Sequence, residues 1–534
     1  MSARTPTLAG TAQLTRLALR RDRLMIPLWV LGITSLGAAT ASSFTELYPT
    51  AASRIPFART IESNPGLMAL TGRGFDLTTI GGLVSWRIAN SGALLAAIMS
   101  LLLVVRHTRA EEESNRLELL GSAVVGRAAP LAAAVLTALV ANLVLLVVVT
   151  ASLVAFGLPV AGSTALALGY LATGVTFAGV AAICAQLTES ARAANGIASA
   201  LLGAVYLVRA AGDSTDAHWL SWLSPIGWSG ETRAFAHERW WVPVMAVGVA
   251  IGLLSVAYRL SLRRDVGGGV LANRPGPARA GSGLTSPLGL AWRLQRGLLL
   301  GWAAGFAVLG GVYGGLAESA SDIADTSSEL RDTLEAIGGG SGIVDAFLST
   351  MLAFGAFAAS VYAVQGVLRL HTEEVNQLAE PLLATPVSRV RWALGHLVVT
   401  LAGVFILMAV MGLTAGLARG ALDGDPVTQA IRTLGAALVQ GFAIAVFAAV
   451  VLALFGLAPR WATAGWAVLA AGLLIFFLGS VVSLNHWLMD LSPFSHLPKL
   501  PGGEMTWTPL IWLTVLTLAL GGIGLTALHR RDVG

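Results

Sequence analysis

The chain has 534 residues, 55% of them hydrophobic and 12% charged, and 34 Lys or Arg against 29 Asp or Glu give a formal net charge of +5. That charged share is about half of what soluble domains carry, and many apolar runs approach the ~20 residues a helix needs to cross a bilayer. A soluble enzyme is excluded, nothing points to a nucleic-acid partner, and the expected class is an all-α polytopic protein of the lipid bilayer.

An apolar window slid along the chain predicts twelve transmembrane helices. Six precede residue 265, at 24–43, 80–105, 128–156, 162–187, 196–212 and 241–260. Six follow, at 297–316, 346–368, 394–417, 429–457, 464–482 and 509–528. The expected organisation is a first six-helix half, 1–265, a cytoplasmic Gly/Pro-rich linker, 266–287, and a second six-helix half, 288–534. Arg20, Arg21 and Arg23 before an apolar run, with Ala39-Thr40-Ala41 after it, have the look of a cleaved signal. The counterpart at 298–316, after Arg293 and Arg296, is internal, so 24–43 is read as a retained first span.

With the N-terminus inside, and charges in a span's end turn counted with the adjoining segment, cytoplasmic segments hold 23 basic and 11 acidic residues and outer ones 9 and 18. Basic residues collect on the cytoplasmic side. Both termini are therefore expected there, in a bacterial inner (plasma) membrane. Just before the first span of each half lies a short amphipathic stretch: Leu14, Leu17 and Ala18 among Arg16, Arg20 and Arg23, then Leu288, Leu290, Trp292 and Leu294 with Arg293 and Arg296. Two readings stay open, a segment lying in the headgroup layer and a basic flank that fixes topology.

Of the basic residues only Lys499 is lysine, and Leu500 follows it. A P-loop needs Lys before Ser or Thr to reach nucleotide phosphates, so the chain has no such ATP site of its own. Cys184 is the one cysteine, which excludes an internal disulfide.

Between the second and third spans of each half the same charged block recurs. Glu111 matches Glu373, Glu112 matches Glu374, Glu118 matches Glu380 and Arg127 matches Arg389, all at one shift. Arg263-Arg264-Asp265-Val266-Gly267 ends the first half and Arg530-Arg531-Asp532-Val533-Gly534 the second, while Ser224-Pro225 answers Ser492-Pro493. Such self-similarity marks a duplication, and an even number of spans per half makes the repeats parallel. Glu111 and Glu118 are seven apart, which on one helix brings them to nearly the same face. The expectation is a short acidic helix suited to contact a protein partner; the alternative is a solvated juxtamembrane loop. A metal site from His107 or His371 with these glutamates lacks convergent ligands.

These residues carry a resemblance. The pattern E-E-x(5)-E-x-L-L before a Ser/Arg segment resembles the permease subunits of type-2 ABC exporters, and the tandem twelve-helix layout is similar to the polyketide-antibiotic (tetronasin-type) exporter permeases. The resemblance covers essentially the whole chain. It implies that each block is a coupling helix seated in an ATPase, with Glu111, Glu112, Glu118 and Arg127 serving one copy and Glu373, Glu374, Glu380 and Arg389 another. It further implies that the chain is not itself an enzyme, that ATP and Mg belong to two copies of a separate ATPase, and that no cofactor sits in this chain. The first block has Gly121-Ser122-Ala123-Val124-Val125-Gly126-Arg127 where the second has Leu383-Ala384-Thr385-Pro386-Val387-Ser388-Arg389. The first thus lacks Pro386 and Ser388, and the two docking sites are not expected to be equivalent.

The outer loops 213–240 and 483–508 hold Trp219, Trp222, Trp228, Trp240, Trp487 and Trp507. The resemblance implies re-entrant helices there; an interfacial aromatic belt also accounts for them. His218, His237, Asp213, Glu231 and Glu238 are expected to be solvated, as is the acidic loop 317–345. Arg87 and Arg209 lie within spans near their outer ends, where snorkelling to the headgroups is expected. A substrate path is sketched through Asn90, Met99, Tyr206, Arg209, Phe354, Phe357, Phe476 and Phe477. The leading function is export of a hydrophobic or amphiphilic compound, such as an antibiotic, by a multidrug efflux permease. An ion-coupled secondary transporter is the alternative, weakened because the predicted span interiors contain no Asp or Glu.

Overall fold

A computed structural model describes all residues except 1–6, 63–64, 115–124, 265–267, 271–277, 280, 327–341, 479–485 and 532–534. It divides the chain into two compact units, Met1–Gly276 and Pro277–Gly534. The division falls inside the 266–287 segment.

The first unit comprises α1 (Thr11–Arg21), α2 (Met25–Leu47), α3 (Ala51–Glu62), α4 (Pro65–Thr71), α5 (Ile80–Arg106), α6 (Arg109–Glu113), α7 (Ala129–Ala155), α8 (Val160–Leu187), α9 (Ala191–Ser214), α10 (Trp219–Trp222), α11 (Pro225–Glu231) and α12 (Trp241–Ser261). The second comprises α13 (Pro287–Thr326), α14 (Ile343–Val375), α15 (Glu380–Leu383), α16 (Arg389–Asp423), α17 (Pro426–Leu457), α18 (Gly465–Leu478), α19 (His486–Met489) and α20 (Thr508–Arg530). Four of the long helices begin where the sequence offers a side-chain cap. Thr79, Ser190, Ser388 and Asp425 each accept a bond from a first-turn backbone N–H, and Pro426 follows Asp425 at a position that needs no N–H.

One packing scheme serves both units. In the first, α8 lies against α5, α7 and α12; in the second, α17 lies against α14, α16 and α20. These two central helices are 83% and 78% buried over their apolar windows. Within a bilayer there is no water to drive helices together, so close backbone approach through small residues has to do it. Gly174 of α8 shows the requirement: a Cβ there would stand 2.0 Å from the Asn142 side chain of α7. In α17 a Cβ on Gly456 would stand 2.1 Å from the Gly524 carbonyl of α20.

Eleven helices among the described residues are long and apolar enough to cross a membrane, against twelve expected. The difference is the predicted span 464–482. Its described part, α18, has 14 residues, about 21 Å of helix against a hydrocarbon core of about 30 Å, and the remainder lies outside the described residues. A second difference concerns the amphipathic stretches. In the first unit α1 is separate from α2, broken at the buried Asp22, whereas α13 runs unbroken for 40 residues through both the amphipathic stretch and the span.

Candidate functional site

The glutamate blocks sit at one end of each unit, called here the glutamate end. In the first unit α5 stops at His107, whose Nε2 lies 2.5 Å from Asp22 Oδ2, while Arg106 Nε lies 3.2 Å from Oδ1. The short α6 then carries the block. Arg109, 1% exposed, donates to the Ala185 carbonyl from Nε at 3.0 Å and Nη2 at 2.6 Å, and to Glu112 from Nη1 at 2.7 Å. Glu111 pairs with Arg21 at 2.6 Å. Glu112 receives both ends of the Arg264 guanidinium, at 2.9 and 2.5 Å. The Nε of Arg264 reaches Gln186 Oε1 at 2.5 Å, and its backbone carbonyl accepts from Arg127. Glu118 lies outside the described residues.

In the second unit α14 continues through the block to Val375. Glu374 receives both ends of the Arg531 guanidinium, at 2.8 and 2.7 Å, and the Arg531 carbonyl accepts from Arg389. Arg531 also lies 4.8 Å over the Phe455 ring. Glu373, 7% exposed, accepts from Arg369 at 2.9 Å and from the Trp392 indole at 3.1 Å, with His396 Nε2 at 3.3 Å. Gln295 Nε2 donates to His396 Nδ1 at 3.1 Å, which leaves the imidazole proton on Nε2, toward the carboxylate.

The single acidic helix expected from the seven-residue spacing does not form in the second unit. Glu373 is on α14 and Glu380 on α15, separated by a turn in which Gln377 takes φ 57° and the Leu378 N–H bonds back to the Glu373 carbonyl at 2.8 Å. A left-handed backbone is uncommon for a residue other than glycine. Here it ends α14 and turns the chain so that Val375 and Leu378, 65% and 64% exposed, project at the tip. The block is an extension of the second span, a turn and a short helix.

Sequence reasoning singled out Glu112, Glu374, Arg127 and Arg389 as ATPase-coupling residues and missed that one arginine joins each pair. Arg264 and Arg531 stood in view as the twice-occurring Arg-Arg-Asp-Val-Gly and served only as a mark of duplication. Trp392 and His396 gave no signal, because their partner Glu373 is remote in sequence.

At the opposite end, Arg209 does not snorkel. It is fully buried, bonded to Asp213 at 3.1 Å and to the Ala69 carbonyl at 2.6 Å, with the Tyr206 ring 4.6 Å away. Nor is Asp213 solvated, since it also accepts from Ser221 at 2.7 Å. Glu231 is buried against Arg239 at 2.9 Å, and Asp345 of the acidic loop is buried against Arg419 and Arg432. These carboxylates lie inside a packed structure, where a charge persists only when paired. Arg87, by contrast, is exposed.

Asn90 and Tyr206 bond the Thr71 and Leu70 carbonyls at 2.8 and 3.1 Å, so with Arg209 they hold the end of α4. Met99 is in the packed core, Phe354 is 42% exposed, and the Phe476 and Phe477 side chains lie outside what is described. Phe357 meets Phe494 at 4.3 Å between ring centres. That contact sets the short turn 493–496, which begins at Pro493 as α11 begins at Pro225, against the middle of α14. Thr173, halfway along α8, donates to the Pro225 carbonyl at 3.0 Å, and Ser229 donates to the Ala89 carbonyl of α5 at 3.2 Å. α11 thus packs at mid-height of α8 and against α5. Around it Trp219 and Trp240 stay exposed, while Trp222 stacks on Trp241 at 5.3 Å.

Long apolar helices around a buried central helix, with an arginine–glutamate knot at one end of each unit, define a multi-pass membrane protein. The family described as "Multidrug efflux system permease Rv1217c, C-terminal domain" matches residues 12–259 and 284–529. The chain is also 40% identical over 526 residues to the multidrug efflux system permease protein Rv1217c of Mycobacterium tuberculosis (strain ATCC 25618 / H37Rv), covering 98% of this chain and 95% of that one. The chain belongs to this permease family.

Proposed function

We propose that the chain is the membrane permease subunit of an ATP-driven multidrug exporter for hydrophobic or amphiphilic compounds, related to the type-2 ABC exporters and built as two tandem six-helix halves. The observation that carries this reading is the glutamate end. In each half one arginine clamps the residues on either side of the glutamate block, and in the second half the tip between them presents Val375, Leu378 and Glu380 to a partner. An exposed apolar tip flanked by acid is a docking surface for another protein. The partner is a separate ATPase, two copies per chain, which holds the ATP and Mg that a chain without a Walker lysine does not bind. The glutamate end then faces the cytoplasm with both termini, and the loops that hold α11 and 493–496 face outward.

The ion-coupled alternative draws on Asp213 and Asp345, buried carboxylates in or beside spans. Both are engaged by arginine side chains, as carboxylates in structural ion pairs are.

The test is co-purification with a P-loop ATPase expressed alongside the full chain, combined with a drug-resistance profile of cells with and without the pair. The expected result is a stable complex that Val375→Asp with Leu378→Asp dissolves, together with loss of resistance. Efflux that persists without any ATPase and collapses with the proton gradient would sink the reading.

A further inference from the structure

We propose that Arg264 and Arg531 are positioning residues that pin both ends of each docking loop and pass its movement to the last membrane helix of the same half. The inference rests on the docking reading above and adds the route by which force leaves the loop.

The first docking loop runs between Glu112 and Arg127, the second between Glu374 and Arg389. Arg264, three residues beyond the end of α12, holds Glu112 through its guanidinium and Arg127 through its carbonyl. Arg531, directly after α20, holds Glu374 and Arg389 in the same two ways. One residue thus closes each loop at its base. Side groups and backbone groups are engaged at once, so neither loop end slides relative to the last helix without breaking a contact.

Burial makes these contacts stiff. The Arg264 and Glu112 side chains are 10% and 9% exposed, and those of Arg531 and Glu374 are 18% and 12% exposed. A bidentate guanidinium–carboxylate pair shielded from water fixes both distance and orientation, whereas an exposed pair is loose and weak. Each guanidinium is also set against the end of the central helix, through Gln186 in the first half and Phe455 in the second. For the same reason Glu112 and Glu374 do not offer their carboxylates to a partner. They are anchors behind the docking surface, which in the second half is the loop between Glu374 and Arg389.

The experiment uses the full chain co-expressed with its ATPase, reading ATPase co-purification and efflux of ethidium from cells. Glu374→Arg and Arg531→Glu are made singly and together, with Arg264→Lys and Arg531→Lys as milder variants that keep the charge and lose the fork. If the clamp transmits force, each reversal cuts ethidium efflux roughly tenfold or more, the range expected for loss of a coupling element, while the ATPase still co-purifies. The swapped pair regains at least half of the lost efflux, and the lysine variants fall between. Single reversals within twofold of wild type, a swap as inactive as its parents, or lysine variants identical to wild type would overturn the proposal. So would loss of the ATPase from the single reversals, because the glutamate would then belong to the docking surface. A wild-type chain that binds no ATPase and moves no ethidium counts against the underlying exporter reading instead. If the reversals fail to yield monodisperse protein, the lysine variants decide.

Discussion

In the first half Arg264 meets Glu112 among hydrogen-bond acceptors: Gln186 takes its Nε, and the Gly268 carbonyl takes Nη1 at 2.9 Å. In the second half Arg531 meets Glu374 while standing over the Phe455 ring. The surroundings differ further. Arg109, which bonds backbone carbonyls, corresponds by the shared shift to His371, which packs edge-on to Phe455. Asp22 interrupts the first helix pair and binds His107, whereas Gln295 lies inside a continuous helix and orients His396 toward Glu373. Through all these exchanges the arginine–glutamate fork and the arginine-to-carbonyl bond are present in both. Packing solutions have diverged between the halves and the clamp has not, which separates what the architecture needs from what merely fills space.

The comparison is broken most forcefully at the clamp itself. Arg531→Ala leaves Glu374 without another ion-pair partner among the described residues, and stability should fall by about 3–5 kcal/mol, as when a buried charge loses its partner. Arg264→Ala leaves Glu112 with Arg109 as a remaining cation, so its cost should be smaller by about 1 kcal/mol or more. Thermal unfolding in detergent ranks the two. Equal losses would mean that Arg109 does not compensate Glu112 in the first clamp.

Next in size is the difference between Asp22 and Gln295. Asp22→Ala strands His107, and the expected cost is about 2–3 kcal/mol, the range for leaving a buried polar group unsatisfied. Gln295→Ala removes one neutral amide from a site where His396 keeps Glu373, and about 1 kcal/mol is expected. The same unfolding midpoints give both numbers. A larger effect at Gln295 than at Asp22 would reverse the assignment of the carboxylate–histidine contact as the stronger tie.

How much of this was legible in the sequence follows from what each signal depends on. Span positions are set by continuous apolar runs, and α5, α7, α12 and α20 begin and end within a residue or two of expectation. The glutamate block was legible because charge is scarce and the block occurs twice. Its conformation was not, since a seven-residue spacing presumes an unbroken helix and the turn at Gln377 is set by backbone bonds to Glu373. Partners were the least legible. Arg209 was expected to reach for headgroups; Asp213, four residues on along the same helix, was a readable i,i+4 partner, whereas nothing local to Arg209 announces the Ala69 carbonyl. Glu112 and Arg264 are 152 residues apart, and only the second occurrence of both motifs connects them.

The smallest expected effect sharpens the comparison at the centre of each bundle. Tyr170 and Tyr362 are both buried, and each ring presses against a glycine, Gly92 for the first and Gly403 for the second, where a Cβ would stand 2.4 and 2.1 Å from the hydroxyl oxygen. The Tyr170 hydroxyl donates to the Ile88 carbonyl at 2.9 Å, while among the described residues the Tyr362 hydroxyl has no hydrogen-bond partner. A satisfied buried hydroxyl contributes about 0.5–1.5 kcal/mol, and an unsatisfied one is a net cost. Tyr170→Phe should therefore lower the unfolding midpoint slightly, and Tyr362→Phe should leave it unchanged or raise it. A drop for Tyr362→Phe as large as that for Tyr170→Phe would show that the second hydroxyl is satisfied in the membrane, and that the two bundle centres are closer in kind than their hydrogen bonds indicate.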